Sequence, residues 1–376
     1  MNQPDKPIRV ALLFGGRSGE HSISCVTAGS CLAAIDRQRF EPVPVGITKT
    51  GRLTLAPDDP ERWRLDAATL PEVDDAGPEV LLPSSARSNE WRVIDSSGRV
   101  GSLGRIDVAF PLLHGPYGED GTIQGALELL DIDYVGSGTL ASAVGMDKIF
   151  SKTVFKARGL PVARWVPVTA KTWPDYRSDL VARINQIGWP VFVKPCRAGS
   201  SLGVSKVLNQ SGLDQAIETA FRFDQRILVE QAQSGRELEC AVLGGHDGGG
   251  PRAAGPAEVV MQPGHDFYSF EAKYLDGTAA DLRCPADLPA KVGERVRVMA
   301  ANAFLAIGAQ GLSRVDLFYD SAKPEGQDLV INEINTMPGF TPISLFPRMW
   351  AGAGLDYTSL ISELIDLALE LPPGLR

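Results

Sequence analysis

The sequence predicts an α/β protein of two or three domains organised on a parallel sheet. Three observations carry this prediction. A chain of 376 residues is longer than one hydrophobic core usually serves. Its first third alternates apolar runs with glycine-led helical stretches, the β-α-β order that sets strands side by side in parallel. Its last third changes texture to strands in which polar residues recur at every second position.

Taken in order, "IRVALLF" reads as a buried strand, and "GGRSGEHSISCVTAGSCLAAI" as a glycine-led turn into a helix. "FEPVPVGIT" is the next strand. Residues of about 50–105 are rich in Pro and Asp and read as an excursion with short strands. The strand "IDVAFPLLHG", the turn "PYGEDG", the helix "TIQGALELLDI" and the strand "DYVG" then complete a first domain, 1–138. A second, 139–230, opens with the helical "SAVGMDKIFSKTVFKARGL" and continues with the strand "ARWVPVT" and the helix "WPDYRSDLVARINQIG". It ends on the strands "VFVKP" and "RILVEQAQ". A third, 231–376, is dominated by strands such as "AAGPAEVV", "SRVDLFYD" and "LVINEINT". "GGHDGGG" reads as a hairpin tip, and "QPGHDFYSFEAKYLDG", long and aromatic without helical period, as a lid.

Composition excludes several classes. With 44% hydrophobic and 22% charged residues the chain is of globular type. The net charge is −9 with no extended run of Lys or Arg, so nucleic acid and anionic membrane are poor partners. The apolar run Val10–Phe14 is too short for a signal peptide, and no segment has transmembrane length. Five scattered cysteines without C-x-x-C fit reduced thiols of the cytoplasm. Four histidines lack zinc-site spacing.

Two nucleotide signatures fail. "GSGTLA", Gly136–Ala141, fits the dinucleotide fingerprint, but no acidic residue follows where a ribose would need one. The pattern G-x-x-x-x-G-K-[ST] is absent. A third signal is more productive: in "VFVKPCRAGSSLGVSKV", Lys194 closes an apolar run and Gly199–Gly203 follows it. Small residues let backbone amides approach an anion, and the lysine supplies positive charge, which suits polyphosphate. A plain hairpin with a glycine-rich turn fits the same residues.

Near the C-terminus, Arg314 with Asp316 and Glu333 with Asn335 are each two apart on strands. Each pair therefore shares one face, opposite its apolar neighbours. Buried charges need partners or a metal, and Asp, Glu and Asn are hard oxygen donors suited to Mg²⁺. A solvated strand edge of alternating polarity is the rival reading.

Together, "GGRSGEHSIS", "HGPYGEDGTIQG", "VKPCRAGSSLGVSKV", "FEAKYLDG" and "NEINTMPGFT" closely resemble the D-alanine–D-alanine ligases of the ATP-grasp superfamily. The resemblance runs from Gly15 to about Pro347 with the motifs in family order. It implies a three-domain ATP-grasp fold with an N-terminal Rossmann-like domain, and ligation of two D-alanines through a D-alanyl phosphate at the expense of ATP. It also implies Mg²⁺, with Mn²⁺ as substitute, a homodimer, and a place in peptidoglycan precursor synthesis.

Residue by residue, the resemblance places Lys148 and Lys194 on the α/β-phosphates, the loop with Ser200 and Ser201 over the transferred phosphoryl, and Lys273 reaching it from the lid. Glu230, Gln231 and Glu237 match positions around adenosine; some relatives carry lysine where this chain has Gln231. Asp316, Glu333 and Asn335 match the metal ligands, and Arg314 with the Gly339 N–H an oxyanion hole. Glu20 matches the carboxylate that binds the first D-alanine's ammonium, in a network with Ser200 and Tyr274. His114 falls near that substrate, and Ser344 with Leu345 near the second. Simpler roles remain open: a helix-dipole charge for Glu20, a core histidine for His114, a helix cap for Ser344. D-alanine–D-lactate and D-alanine–D-serine ligases, or a non-catalytic nucleotide binder, are the alternatives. The neutral Tyr274 in "FEAKYLDG", where D-lactate users place a histidine, favours peptide over ester.

Overall fold

A computed structural model describes residues 6–65, 69–86, 88, 90–262 and 280–371. The expected lid, with Lys273 and Tyr274, lies outside these residues.

Sheet one contains β1 (Ile8–Gly15), β2 (Phe40–Ile47), β3 (Leu53–Leu55), β4 (Glu79–Leu81), β5 (Glu90–Ile94), β6 (Val100–Arg105) and β7 (Val108–Pro111). Their order is β6-β5-β4-β3-β2-β1-β7. Only β2, β1 and β7 are parallel; β3 to β6 extend the sheet as an antiparallel run. The excursion after residue 50 thus supplies short strands, as expected. In β1, Val10, Leu12 and Phe14 enter one core while Ala11 and Leu13 enter another. A strand buried on both faces must be apolar throughout, which is why "VALLF" shows no alternation. Helices α1 (His21–Ala34) and α2 (Thr122–Leu129) follow β1 and β7. The expected strand "DYVG" is reduced to one bridge between Tyr134 and Ala109, held by two backbone bonds before the chain turns away.

The stretch after residue 139, expected as one helical unit, is two helices, α3 (Thr139–Met146) and α4 (Lys148–Ala157). Asp147 separates them, since its carboxylate accepts from the Ile149 and Phe150 amides at 3.0 and 3.1 Å and so caps a new helix start. Sheet two is the antiparallel set β10-β9-β11-β8, with β8 (Trp165–Thr169), β9 (Val191–Pro195), β10 (Ser205–Val207) and β11 (Arg226–Gln231). Helices α5 (Trp173–Ile187) and α6 (Leu213–Phe221) cover it, and Val181, Ile184 and Ile217 share its core.

Sheet three runs β14-β13-β12-β15-β16, with β12 (Arg236–Leu243), β13 (Arg252–Met261), β14 (Ala280–Arg283), β15 (Leu312–Tyr319) and β16 (Leu329–Asn335). One face is packed by α7 (Ala290–Ala306) through Val296, Ala300 and Ala303. Against the other lie α8 (Leu345–Gly352) and α9 (Tyr357–Glu370), whose Phe346, Met349, Leu360 and Leu364 share a core with Val10, Phe14 and Phe110 of sheet one. The C-terminal helices therefore join the first and third sheets. Among the described residues no helix is long and apolar enough to cross a membrane.

Candidate active site

The site lies where the three sheets meet. Its metal-facing part follows from the pleat. Val315, Leu317, Ile331 and Ile334 form one core on sheet three. Arg314, Asp316, Glu333 and Asn335 fall on the opposite face, with Arg314 opposite Asn335 and Asp316 opposite Glu333. Strict alternation would put Ile331 and Glu333 on one side. A bulge resolves this: Leu317 pairs with Ile331 and Asp316 with Glu333, so Asn332 has no opposite number.

Arg314 grips Asp316 through both oxygens, Nε to Oδ1 at 2.6 Å and Nη2 to Oδ2 at 2.7 Å, and lies 3.1 Å from Glu239. Burial disfavours its charge, but Asp316 and Glu239 outweigh burial and raise Arg314 further above the ordinary arginine range. Asn335 Nδ2 donates to Asp316 at 3.2 Å. Two facing carboxylates beside an amide form a donor set suited to a hard divalent cation. Among the described residues no group of three His, Cys, Asp or Glu is gathered for a metal. Asp316 and Glu333 are already paired with Arg314 and Lys148, so a cation bound there would share the two carboxylates with those side chains.

Lys148 opens α4 and reaches Glu333 at 3.2 Å and the Ala198 carbonyl at 3.2 Å. Burial opposes its charge, yet Glu333 raises it above the usual lysine range. Lys194 is the penultimate residue of β9, and the loop after that strand returns as β10 antiparallel to β9. The hairpin reading is thus correct as topology, and the loop at its tip is the candidate phosphate cradle. Ser200 and Ser201 both take left-handed conformations, φ 49° and 58°.

That loop also reaches sheet one: the Ser200 hydroxyl donates to Glu20. Gly199 lets the loop approach Glu20 closely: a Cβ there would lie 2.9 Å from the Glu20 carboxylate, which would have to shift. Glu20 occupies the N-cap position of α1 but makes no side-chain cap bond, so the helix presents it to the loop. Ser344 is likewise at an N-cap without a side-chain cap bond; its hydroxyl instead meets Thr341 Oγ1 at 2.8 Å. Leu345 is buried behind it, and a Cβ on Gly339 would approach Ser344 Oγ to 3.2 Å. Tyr357 on α9 fixes this turn by donating to the Phe340 carbonyl at 2.6 Å.

His114 is buried between Thr27 Oγ1 and the Met337 carbonyl, each at 3.2 Å. Burial lowers its pKa despite the nearby Glu20. The neutral ring donates from Nδ1 to Met337 and accepts at Nε2 from Thr27, tying sheet one to the turn that holds Gly339. Its partners are therefore protein groups on both nitrogens.

Glu230 is enclosed at the end of β11, with Lys152 Nζ 2.5 Å from Oε1 and Lys194 Nζ 2.7 Å from Oε2. Burial pushes its pKa up, but the two ammonium groups outweigh burial and hold it below the ordinary glutamate range. Gln231 Oε1 accepts from Arg164 Nε at 3.2 Å. Glu237, near the start of β12, lies across the short connection from Glu230.

Sequence reasoning missed Lys152, Glu239, Asn332 and Glu119. Lys152 carried a signal, being four residues after Lys148 and so on the same helical face. Glu239 repeats the two-residue spacing of its neighbour Glu237. Glu119 accepts from the Gly115 amide at 2.7 Å, and burial together with Glu20 raises its pKa to about 8.

A D-ala D-ala ligase N-terminus model matches residues 9–137, and a D-ala D-ala ligase C-terminus model matches 154–366. The chain belongs to the D-alanine–D-alanine ligase family. It is 52% identical to the D-alanine–D-alanine ligase of Paenarthrobacter aurescens, over 98% of this chain and 97% of that one. With the corresponding protein of Kineococcus radiotolerans it shares 51% over the full length of both. Among solved structures it resembles the D-alanine-D-alanine ligase from Coxiella burnetii, at TM-score 0.79 and 32% identity over 96% of this chain and 94% of that one. The VanG D-Ala:D-Ser ligase from Enterococcus faecalis is as similar in fold, at TM-score 0.80 and 32% identity over 96% and 100%. The ATP-grasp fold expected from the sequence is that of these ligases, and the family is ATP-dependent.

Proposed function

We propose that this chain joins two D-alanines into D-alanyl-D-alanine for peptidoglycan precursor synthesis, with ATP cleaved to ADP and phosphate. The observation that carries the reading is the convergence of Lys148, Lys194, Arg314, Asp316, Glu333 and Asn335 on one site, in a chain sharing half its residues with ligases over their whole length. In the first step a carboxylate oxygen of one D-alanine attacks the γ-phosphorus, and the bond to the ADP oxygen breaks. Lys148 and Lys194 neutralise the phosphates, and the loop Gly199–Gly203 closes over the transferred group. Such transfer needs positioning and charge neutralisation more than covalent help.

Glu20, fixed by Ser200, binds the ammonium of that D-alanine. The second D-alanine, its carboxylate held at Ser344 and Leu345 and its amine deprotonated, attacks the acyl carbon. Phosphate leaves after a tetrahedral species whose negative oxygen faces Arg314 and the Gly339 N–H. Asp316, Glu333 and Asn335 would hold Mg²⁺, or Mn²⁺ in its place, which supplies charge neutralisation of the phosphates when bound. Gln231 and Glu237 line the adenosine end, Glu230 serves the nucleotide through its pairing with Lys194, and His114 orders the first-substrate side. The working unit is a cytoplasmic homodimer, with domains at 1–138, 139–230 and 231–376.

The likeness to a D-Ala:D-Ser ligase makes D-serine the second candidate for the acceptor. Discrimination against D-lactate rests on Lys273, Tyr274 and their neighbours, outside the described residues. The deciding experiment measures phosphate release with ATP and Mg²⁺ across D-alanine, D-serine, D-lactate and L-amino acids, with product masses determined. D-alanyl-D-alanine as the main product from a mixture is expected. Predominant D-alanyl-D-serine or depsipeptide, or ATP hydrolysis without ligation, overturns the assignment.

A further inference from the structure

We propose that Lys152 is a positioning residue that sets the charge Lys194 presents to the nucleotide, acting through Glu230 and the bulge at Asn332. Lys152 is on α4, one turn past Lys148, but its side chain is only 1% exposed, against 12% for Lys194. It therefore sits behind the site rather than lining it. The two lysines share the same two partners. Lys152 takes Glu230 Oε1 and Lys194 takes Oε2. At Asn332, Lys152 donates to the main-chain carbonyl at 2.8 Å and Lys194 to Oδ1 at 3.2 Å. Because Asn332 is the extra residue of the bulge, its carbonyl is turned out of the β15–β16 ladder toward Lys152.

The consequence is electrostatic. Burial lowers the Lys152 pKa and Glu230 opposes that shift; with all three groups ionised, Lys152, Lys194 and Glu230 carry one net positive charge, and Lys194 is the member closest to solvent. Without Lys152, Glu230 would neutralise Lys194, and both its oxygens would compete with phosphate for one ammonium. Charges this well buried are weakly screened, so the change is felt at the ligand. Space-filling alone does not call for a lysine: a methionine of similar length would fill the position without the cost of burying an ammonium.

The inference rests on the reading of Lys194 as a phosphate ligand, and the test separates the two. In the full-length chain, binding of a non-hydrolysable ATP analogue with Mg²⁺ is measured by calorimetry for wild type, Lys152→Met, Glu230→Gln and the double variant, beside KM for ATP and for D-alanine. Lys152→Met is expected to weaken nucleotide binding about ten-fold, with KM for D-alanine changed less than two-fold. The double variant, which restores the net charge of one, is expected to recover most of that loss. If Lys152→Met does not fold, Glu230→Gln is compared with the double variant and should bind nucleotide more tightly. Wild-type affinity in Lys152→Met, no recovery in a folded double variant, or equal affinity in that second comparison overturns the inference. A wild-type chain that binds no ATP analogue overturns the functional reading instead.

Discussion

Arg314 shows how much chemistry one side chain can hold in place. Its guanidinium takes both oxygens of Asp316 while lying against Glu239, a two-pronged grip that a lysine ammonium cannot reproduce. Arg314→Lys is therefore expected to lower kcat by about 10²–10³-fold, the range for losing an oxyanion donor, while nucleotide binding measured by calorimetry changes little. Near-wild-type kcat would refute the oxyanion role. Glu119 makes a different prediction. Its pKa is raised to about 8 from an ordinary 4.5, so between those values the folded protein holds a proton that the unfolded chain has lost. Stability from this group is complete below about pH 4.5 and is lost as pH rises through about 8. Glu119→Gln keeps an acceptor for the Gly115 amide and does not titrate. Relative to wild type, its urea midpoint should rise progressively from pH 5 to pH 8; a constant difference across that range would contradict the shift.

Among elements, the connection between β3 and β4 matters more than its irregular sequence suggests. Val73 is buried and donates its amide to His21 Nε2 at 3.0 Å, while His21 Nδ1 meets the Gly16 carbonyl at 2.7 Å. Its side chain lies where a Cβ on Gly15 or Gly46 would intrude, at 2.9 and 2.6 Å. Gly15 must also be glycine for its φ of 89°. The excursion thus clamps the turn that leads into Glu20. Val73→Ala, which opens a small cavity there, should cost about 1–3 kcal/mol of stability by urea unfolding. It should also raise KM for D-alanine more than KM for ATP, because the clamp lies on the Glu20 side; an unchanged KM would confine Val73 to a packing role.

At the scale of the molecule, the candidate site borrows from all three sheets: Glu20 and His114 from the first, Lys194 and Ser200 from the second, Arg314 to Asn335 from the third. A ligand bound there bridges them, and a ligand that binds only the folded state stabilises it. ATP with Mg²⁺ at a hundred times its Kd should add about 2.7 kcal/mol to unfolding stability, read as a shift in Tm, and EDTA should remove most of the gain. No shift at saturating nucleotide would count against a site built between sheets. Light scattering of the purified chain would test the homodimer.

What the sequence determined by itself is what depends on near neighbours. Side-chain direction along a strand is local, so "SRVDLFYD" and "NEIN" disclosed which residues share a face, and unbroken "VALLF" disclosed a strand buried on both sides. The order of motifs disclosed the family. Helices α6, α7 and α9 carry no strong local signal, since their apolar residues lie among strand-rich segments and no side chain caps the start of α6 or α7; "DYVG" looks like a strand because four residues do not show whether a neighbour is available to pair with. Tertiary structure alone decided the partners. Nothing near Glu20 names Ser200, 180 positions away, and nothing near Glu230 names Lys152 or Asn332. Burying a charge demands an opposite charge or a donor, but which one arrives depends on how the sheets meet and on a single bulged residue, properties of register and packing that no local pattern encodes.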